Sequence, residues 1–142
     1  MTSVLPATDT PFGERVARRL RDELIIWMTT TGADGTPQPN PVWFLWDGEG
    51  FLLYSKPDSA RLPHIRRNAR IALHFDGDGN GGDIIVFAGE AHEAPEAPPA
   101  NDVADYIAKY QHLITEYHWT PESFAADYSV PIRVTVTKVR GH

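Results

Sequence analysis

The sequence contains no cysteine, which removes disulfides, thiolate metal sites and thiol nucleophiles together and fits a reducing compartment. Long apolar runs are missing as well. Runs such as Leu24 to Met28 and Val42 to Trp46 fall far short of the roughly 20 residues that a membrane-spanning helix needs, so no membrane association is expected. Met1 to Arg15 shows no basic region followed by a continuous apolar stretch, and a cytoplasmic location is therefore expected. Signatures of familiar chemistry are also lacking. There is no Gly-x-Ser-x-Gly, no Gly-x-Gly-x-x-Gly that follows a strand and opens a helix, and no phosphate-loop lysine pattern, which sets aside nucleophilic hydrolysis and dinucleotide or ATP binding of the usual kinds. Basic residues are in deficit: 13 Lys and Arg against 19 Asp and Glu give a net charge of −6, which argues against general nucleic-acid affinity.

The deficit has a local exception. Between Lys56 and Arg70 the chain places Lys56, Arg61, Arg66, Arg67 and Arg70 against the single acid Asp58, with His64 among them. An acidic protein with one basic segment points to a confined anionic ligand, or else to a helix with a solvated basic face. With 142 residues, 42% hydrophobic and 23% charged, the chain has the composition of an ordinary globular protein. One domain over 1–142 is expected, with a helical segment over 1–23 and a barrel over 24–142.

Periodicity gives the elements. Pro11 to Glu23 spaces Phe12, Val16 and Leu20 four apart and reads as an amphipathic helix opened by proline. Leu24 to Thr31 reads as a strand running into the Gly32-Ala33-Asp34-Gly35 turn. Thr36 to Trp46 resumes as a strand, with Pro37, Pro39 and Pro41 in its early half, where proline demands an edge. Asp47-Gly48-Glu49-Gly50 turns the chain into Phe51 to Ser55. Pro57-Asp58-Ser59 offers capping side chains to a short helix ending near Asn68. Arg70 to Asp76 and Asp83 to Glu93 read as further strands, with Gly89 a bulge or a close contact. After a proline-rich connector, Val103, Ile107, Tyr110, Ile114 and Tyr117 repeat at helical spacing. A short helix follows Thr120-Pro121, and Val130 to Val139 alternates as a closing strand. Six strands with short turns favour a mainly β fold with helices, a small barrel, over a βαβ sheet.

Two metal readings are weak. Asp76-Gly77-Asp78-Gly79-Asn80-Gly81 opens like a calcium loop, but the twelfth position is Phe87 where a bidentate glutamate belongs, and both flanks read as strands. A glycine-rich hairpin loop is expected there. The six histidines show no recognisable zinc spacing, and no metal site is expected. What remains is the end of the third strand. Ser55 offers a hydroxyl, Lys56 a point charge and Arg61 a planar fork, and the start of the following helix offers backbone N–H groups, a set able to hold a phosphate. Trp43, Phe44 and Trp46 cannot all face one side of a strand. At least one must meet a second apolar environment, such as a subunit interface or a ring-binding cleft.

Taken in order, Trp27-Met28-Thr29-Thr30, Asp34-Gly35-Thr36-Pro37, Pro41-Val42-Trp43-Phe44, Tyr54-Ser55-Lys56-Pro57 and Tyr128-Ser129-Val130-Pro131-Ile132-Arg133-Val134 resemble the pyridoxamine 5′-phosphate oxidase-like split β-barrels. Within them the chain most resembles the actinobacterial reductases that use the deazaflavin coenzyme F420. The resemblance implies a six-stranded split β-barrel and a homodimer with two cofactor sites, each built from both chains. It implies that Asn40, Pro41, Val42 and Trp43 lie along the cofactor ring, and that Ser55, Lys56 and the helix carrying Arg61 approach the phosphate. Family members usually begin that helix Lys-x-Arg-Asn-Ile, whereas here it reads Arg61-Leu62-Pro63-His64-Ile65, so His64 enters the site as a substitute donor. The implied activity is hydride transfer between F420 and a small conjugated acceptor, with Tyr128 and His74 as candidate proton donors. An FMN-binding oxidoreductase of the same barrel, or a module that binds flavin, deazaflavin or haem without turnover, are the alternatives.

Overall fold

The computed structural model describes residues 4–142; residues 1–3 of the expected N-terminal segment lie outside them. Helix α1 spans Pro11–Asp22. Its start is set by Thr10, whose hydroxyl accepts the Gly13 N–H at 3.0 Å, with proline in the first turn. Val16 and Leu20, one turn apart, are buried in the main core.

Seven strands follow: β1 Ile26–Thr31, β2 Pro37–Val42, β3 Leu45–Trp46, β4 Phe51–Ser55, β5 Arg70–His74, β6 Ile85–Glu93 and β7 Val130–Gly141. The helices among them are α2 Arg61–Arg67, a 3₁₀ turn Ala100–Asp102, α3 Ala104–Glu116 and α4 Pro121–Asp127. All pairings are antiparallel, in the order β2-β1-β5-β6-β7-β4-β3. The two edge strands, β2 and β3, are consecutive in the chain and are separated only by Trp43 and Phe44. The three Cα steps from Val42 to Leu45 span at most about 11 Å, so the sheet must curl until its edges nearly meet, which is the split of a split barrel.

The expected single strand Thr36 to Trp46 is therefore two, and the count of six becomes seven. The alternation of side chains continues across the break. Val42, Phe44 and Trp46 pack into the barrel interior, while Trp43 and Leu45 join a second core on the outside. That second core, with Leu52 and Tyr54 of β4, lies under α3 and α4 and contains Tyr106, Tyr110, Ile114 and Phe124. Strand β4 is thus buried on both faces. The second apolar environment demanded by the aromatic strand is supplied within the chain.

Other local expectations resolve similarly. Pro37, Pro39 and Pro41 pair with Thr31, Thr29 and Trp27 of β1, three positions of equal parity. Proline has no N–H to offer the ladder, so this parity turns the missing donors toward the open edge and blunts it against further pairing. The β6–β7 register slips between Ala88 and Gly89, and a Cβ on Gly89 would stand 2.4 Å from the Thr135 carbonyl oxygen, so the bulge needs glycine. In the 76–81 loop the Asp78 carboxylate accepts the Asn80 and Gly82 N–H groups at 2.8 and 2.9 Å, closing the β5–β6 hairpin. Arg19 of α1 reaches that hairpin, pairing with Asp83 and Glu23 and donating to the Asp76 carbonyl oxygen at 2.8 Å. Helix α2 packs against β1 and β6, contributing Leu62 and Ile65 to the core. Among the described residues no helix is long and apolar enough to cross a membrane.

Candidate functional site

Where the barrel splits, a cleft of about 390 Å³ opens between β2, α2 and the α3–α4 pair. Its walls are Pro41, Val42 and Trp43 from the barrel edge, Arg61 from α2, and Tyr106, Tyr117, Trp119, Phe124 and Tyr128 from the helices and their connections, with Ile25 and Tyr54 completing it. The rings are ordered. Tyr110, Trp43, Phe124 and Tyr128 make successive near-parallel contacts at centroid distances of 4.4, 5.2 and 4.8 Å. The Lys56 ammonium stands 5.5 Å from the Tyr128 ring centroid at the end of this series. Ile25, Tyr117 and Trp119, at 38%, 53% and 37% exposure, are three of the four large apolar side chains that face solvent among the described residues, and all three belong to this cleft. Their clustering makes the mouth of the cleft an exposed apolar patch.

Arg61 is the charged member of the lining. Its side chain makes no hydrogen bond or ion pair among the described residues, and burial pulls its guanidinium pKa down, opposed by the nearby Tyr128 phenol. The rest of the basic segment is committed elsewhere or solvated. Arg66 pairs with Glu93, Arg67 donates to the Thr31 carbonyl oxygen at 3.3 Å, and Arg70 is exposed on β5.

The structure thus brings Pro41, Val42, Trp43, Arg61 and Tyr128 into one cleft with Lys56 at its rim. Four other candidates lie elsewhere. Asn40 is exposed on β2 and does not line the cleft. Ser55 is fully buried and donates its hydroxyl to the Lys56 carbonyl oxygen at 3.0 Å. His64 sits 2.9 Å from the Thr30 hydroxyl through Nδ1. His74 stacks beside Trp27, its partner across β1 and β5, with ring centroids 6.4 Å apart. The start of α2 offers less than its position promised. The Arg61 N–H donates to the Ser59 hydroxyl, the Leu62 and His64 N–H groups to the carbonyl oxygens of Ser59 and Ala60, and Pro63 has none. The start of α2 therefore leaves side chains, Arg61 and Lys56, as the cationic donors at the cleft.

Sequence reasoning did not single out Tyr54, Tyr106, Tyr117, Trp119 and Phe124 for the site. A signal was present in Tyr117-His118-Trp119, a short link between helices carrying two large rings. His118 adopts φ 61° there, a left-handed turn that keeps both rings on the cleft side.

Fold and cleft together define a split-barrel protein with an aromatic-walled cleft at the barrel edge. A sequence model of the pyridoxamine 5′-phosphate oxidase family matches residues 12–142, and the chain belongs to that family, as its motifs indicated. No curated protein matches it by sequence. Solved structures with the same fold include an F420 reductase, 24% identical, covering 87% of this chain and 94% of that one with a TM-score of 0.65. A conserved hypothetical protein from Mycobacterium tuberculosis is 20% identical over 99% of this chain and 87% of its own, TM-score 0.68. The haem storage protein HutZ from Vibrio cholerae is 13% identical over 90% and 93%, TM-score 0.64. At these identities the likeness is one of fold.

Proposed function

We propose that the cleft holds the ring system of a deazaflavin (F420) cofactor and that the protein is an oxidoreductase passing a hydride between that cofactor and a small conjugated acceptor. The observation that carries this reading is Arg61, a half-buried guanidinium without a protein partner among the described residues, in a cleft otherwise walled by rings and aliphatic groups. Pairing with a ligand anion would offset its partial desolvation, and its planar fork suits phosphate or carboxylate. Pro41, Val42 and Trp43 lie along the ring, while Arg61 and Lys56 receive the anionic tail. When bound, the cofactor supplies the two-electron chemistry, and the protein positions reactants and excludes water. Tyr128, in the lining, is the side chain we assign to proton delivery; His74, stacked on Trp27 outside it, has no such place.

We also propose a homodimer in the cytoplasm, with a second copy covering Ile25, Tyr117 and Trp119 at the mouth. Light scattering at micromolar concentration then gives about twice the chain mass of 15.8 kDa; the mass of one chain contradicts it. An FMN oxidoreductase of the same fold is the second reading. It is favoured by the presence of two cations at the cleft, Arg61 and Lys56, enough for a single phosphate. Titrating the apo protein with F420 and with FMN, followed by tryptophan fluorescence, separates the readings. Tighter binding of F420 supports the first and tighter binding of FMN the second, while failure to bind either contradicts both. A Soret band in the freshly purified protein would instead identify a haem module.

A further inference from the structure

A second groove, of about 530 Å³, runs between α1, the edge strand β3 and α3, and shares no lining residue with the aromatic cleft. Leu5, Ala17, Leu45, Trp46 and Ala108 give it an apolar surface. Lys109 of α3 also lines it and reaches the break between β2 and β3. The ammonium donates to the Phe44 carbonyl oxygen at 3.0 Å, on the peptide unit that Phe44 shares with Leu45 of the groove, and stands 3.5 Å from the Phe44 ring centroid. The residue is half-buried, not enclosed.

A lysine drawn out of water onto apolar surroundings becomes a nucleophile, because the neutral amine gains on the ammonium. Burial brings Lys109 down to about 8, opposed by Glu23 and Asp22 at the end of α1. The other charges of the lining are Asp105 and Arg21, and Arg21 is paired with Asp22 at 2.8 Å. Around the amine, then, stand Asp22, Glu23 and Asp105 against Arg21, a setting that disfavours an anionic reagent and leaves an uncharged one free to enter. The two other lysines of the chain, Lys56 and Lys138, are exposed.

We propose that Lys109 is an acylation site, at which an uncharged short-chain acyl thioester seated in the groove passes its acyl group to the side-chain amine. The neutral amine attacks the thioester carbonyl carbon, the new N–C bond forms and the C–S bond breaks. The sulfur leaves with the bonding pair, and the proton released from nitrogen passes through water to the thiolate. The amide product keeps one N–H for the Phe44 carbonyl oxygen, so the fold tolerates the change while the charge is lost. The proposal does not depend on the cofactor reading, and either can fail without the other.

The test uses the folded parent protein at pH 8 and two uncharged probes, the N-acetylcysteamine thioesters of acetate and butyrate. Peptide mass spectrometry follows acylation at each of the three lysines. At this pH about half of a lysine with a pKa near 8 is free amine, against well under about 1% of an ordinary one. Lower basicity returns part of that gain as lower nucleophilicity, so Lys109 is expected to react roughly 10-fold faster than Lys138. Unfolding the protein in urea should abolish the excess. Butyrate, with two more methylenes to lay on the apolar wall, should raise the Lys109-to-Lys138 ratio by a further factor of about 3 to 10 over acetate. Equal rates at Lys109 and Lys138 in the folded protein overturn the proposal, as does an excess at Lys109 that persists in urea. A ratio no higher with butyrate than with acetate overturns the groove as the seat of the acyl group, and the proposal with it.

Discussion

The hydroxyl of Tyr110 lies 2.8 Å from the amide nitrogen of Phe44, 66 residues away in sequence. Phe44 occupies the gap between β2 and β3, where its backbone is without a neighbouring strand. Tyr110 supplies the missing acceptor, and the Lys109 ammonium donates to the Phe44 carbonyl oxygen at 3.0 Å. The split in the barrel is thus satisfied from α3. Because the Tyr110 ring also stacks on Trp43 at 4.4 Å with 2° between planes, the same residue closes the barrel and supports the cleft.

Tyr110→Phe keeps the stack and removes the hydroxyl, leaving the Phe44 N–H and Leu24 C=O groups unpaired. The expected loss of stability is about 1–3 kcal/mol. Urea unfolding with an unchanged m-value checks it, and a loss within about 0.5 kcal/mol would mean that water substitutes for the hydroxyl.

Arg19 ties α1 to the β5–β6 hairpin. Its side chain is 9% exposed, pairs with Asp83 at 3.0 Å and Glu23 at 2.7 Å, and lies over the Phe75 ring. Asp83 itself is held at φ 55°. Arg19→Ala is expected to cost roughly 2–3 kcal/mol, below the full cost of breaking a buried pair because both carboxylates remain partly solvated. Thermal unfolding measures this, with faster hydrogen exchange in residues 76–84 as its local signature. Parent-like exchange in that segment would contradict the clamp.

Lys109 predicts a pH dependence. Burial between Phe44 and Tyr110 pushes its pKa down to about 8, against 10.5 in the unfolded chain. Between these values the unfolded state binds the extra proton, so this residue makes stability rise with pH from about 8 upward. The tyrosines act oppositely above about pH 10, since burial raises Tyr54 to about 12 and its unfolded form ionises first. The measurement is the difference in unfolding free energy between parent and Lys109→Met from pH 7.5 to 9.5. A difference that shifts in the parent's favour as pH rises agrees, and a flat one does not.

Much of this fold was legible because turns and bulges carry their own residues. Asp34-Gly35, Asp47-Gly48 and Gly89 fall where the chain turns or slips register. The break at Trp43-Phe44 carries no such mark. Side-chain alternation runs through it unbroken, and its backbone partners come from α3, far along the chain. The site divides in the same way. Arg61 and Pro41 to Trp43 were legible from charge and aromatic content, whereas His64 and His74 drew notice by residue type and took their partners, Thr30 and Trp27, from tertiary contact. Tyr106 and Phe124 look like ordinary core from sequence, since helical periodicity does not distinguish a core wall from a cleft wall.

The account rests on Arg61 as the anion-binding residue of an aromatic cofactor cleft, and one titration addresses it directly. F420 is added to the parent and to Arg61→Ala, with affinity read by fluorescence quenching and melting temperature as the control. Loss of one charge-assisted interaction predicts binding weaker by about 1.5–3 kcal/mol, roughly 10- to 150-fold. The melting temperature should not fall, because an unpaired, partly buried charge has been removed. Unchanged affinity in a folded Arg61→Ala variant would contradict the account.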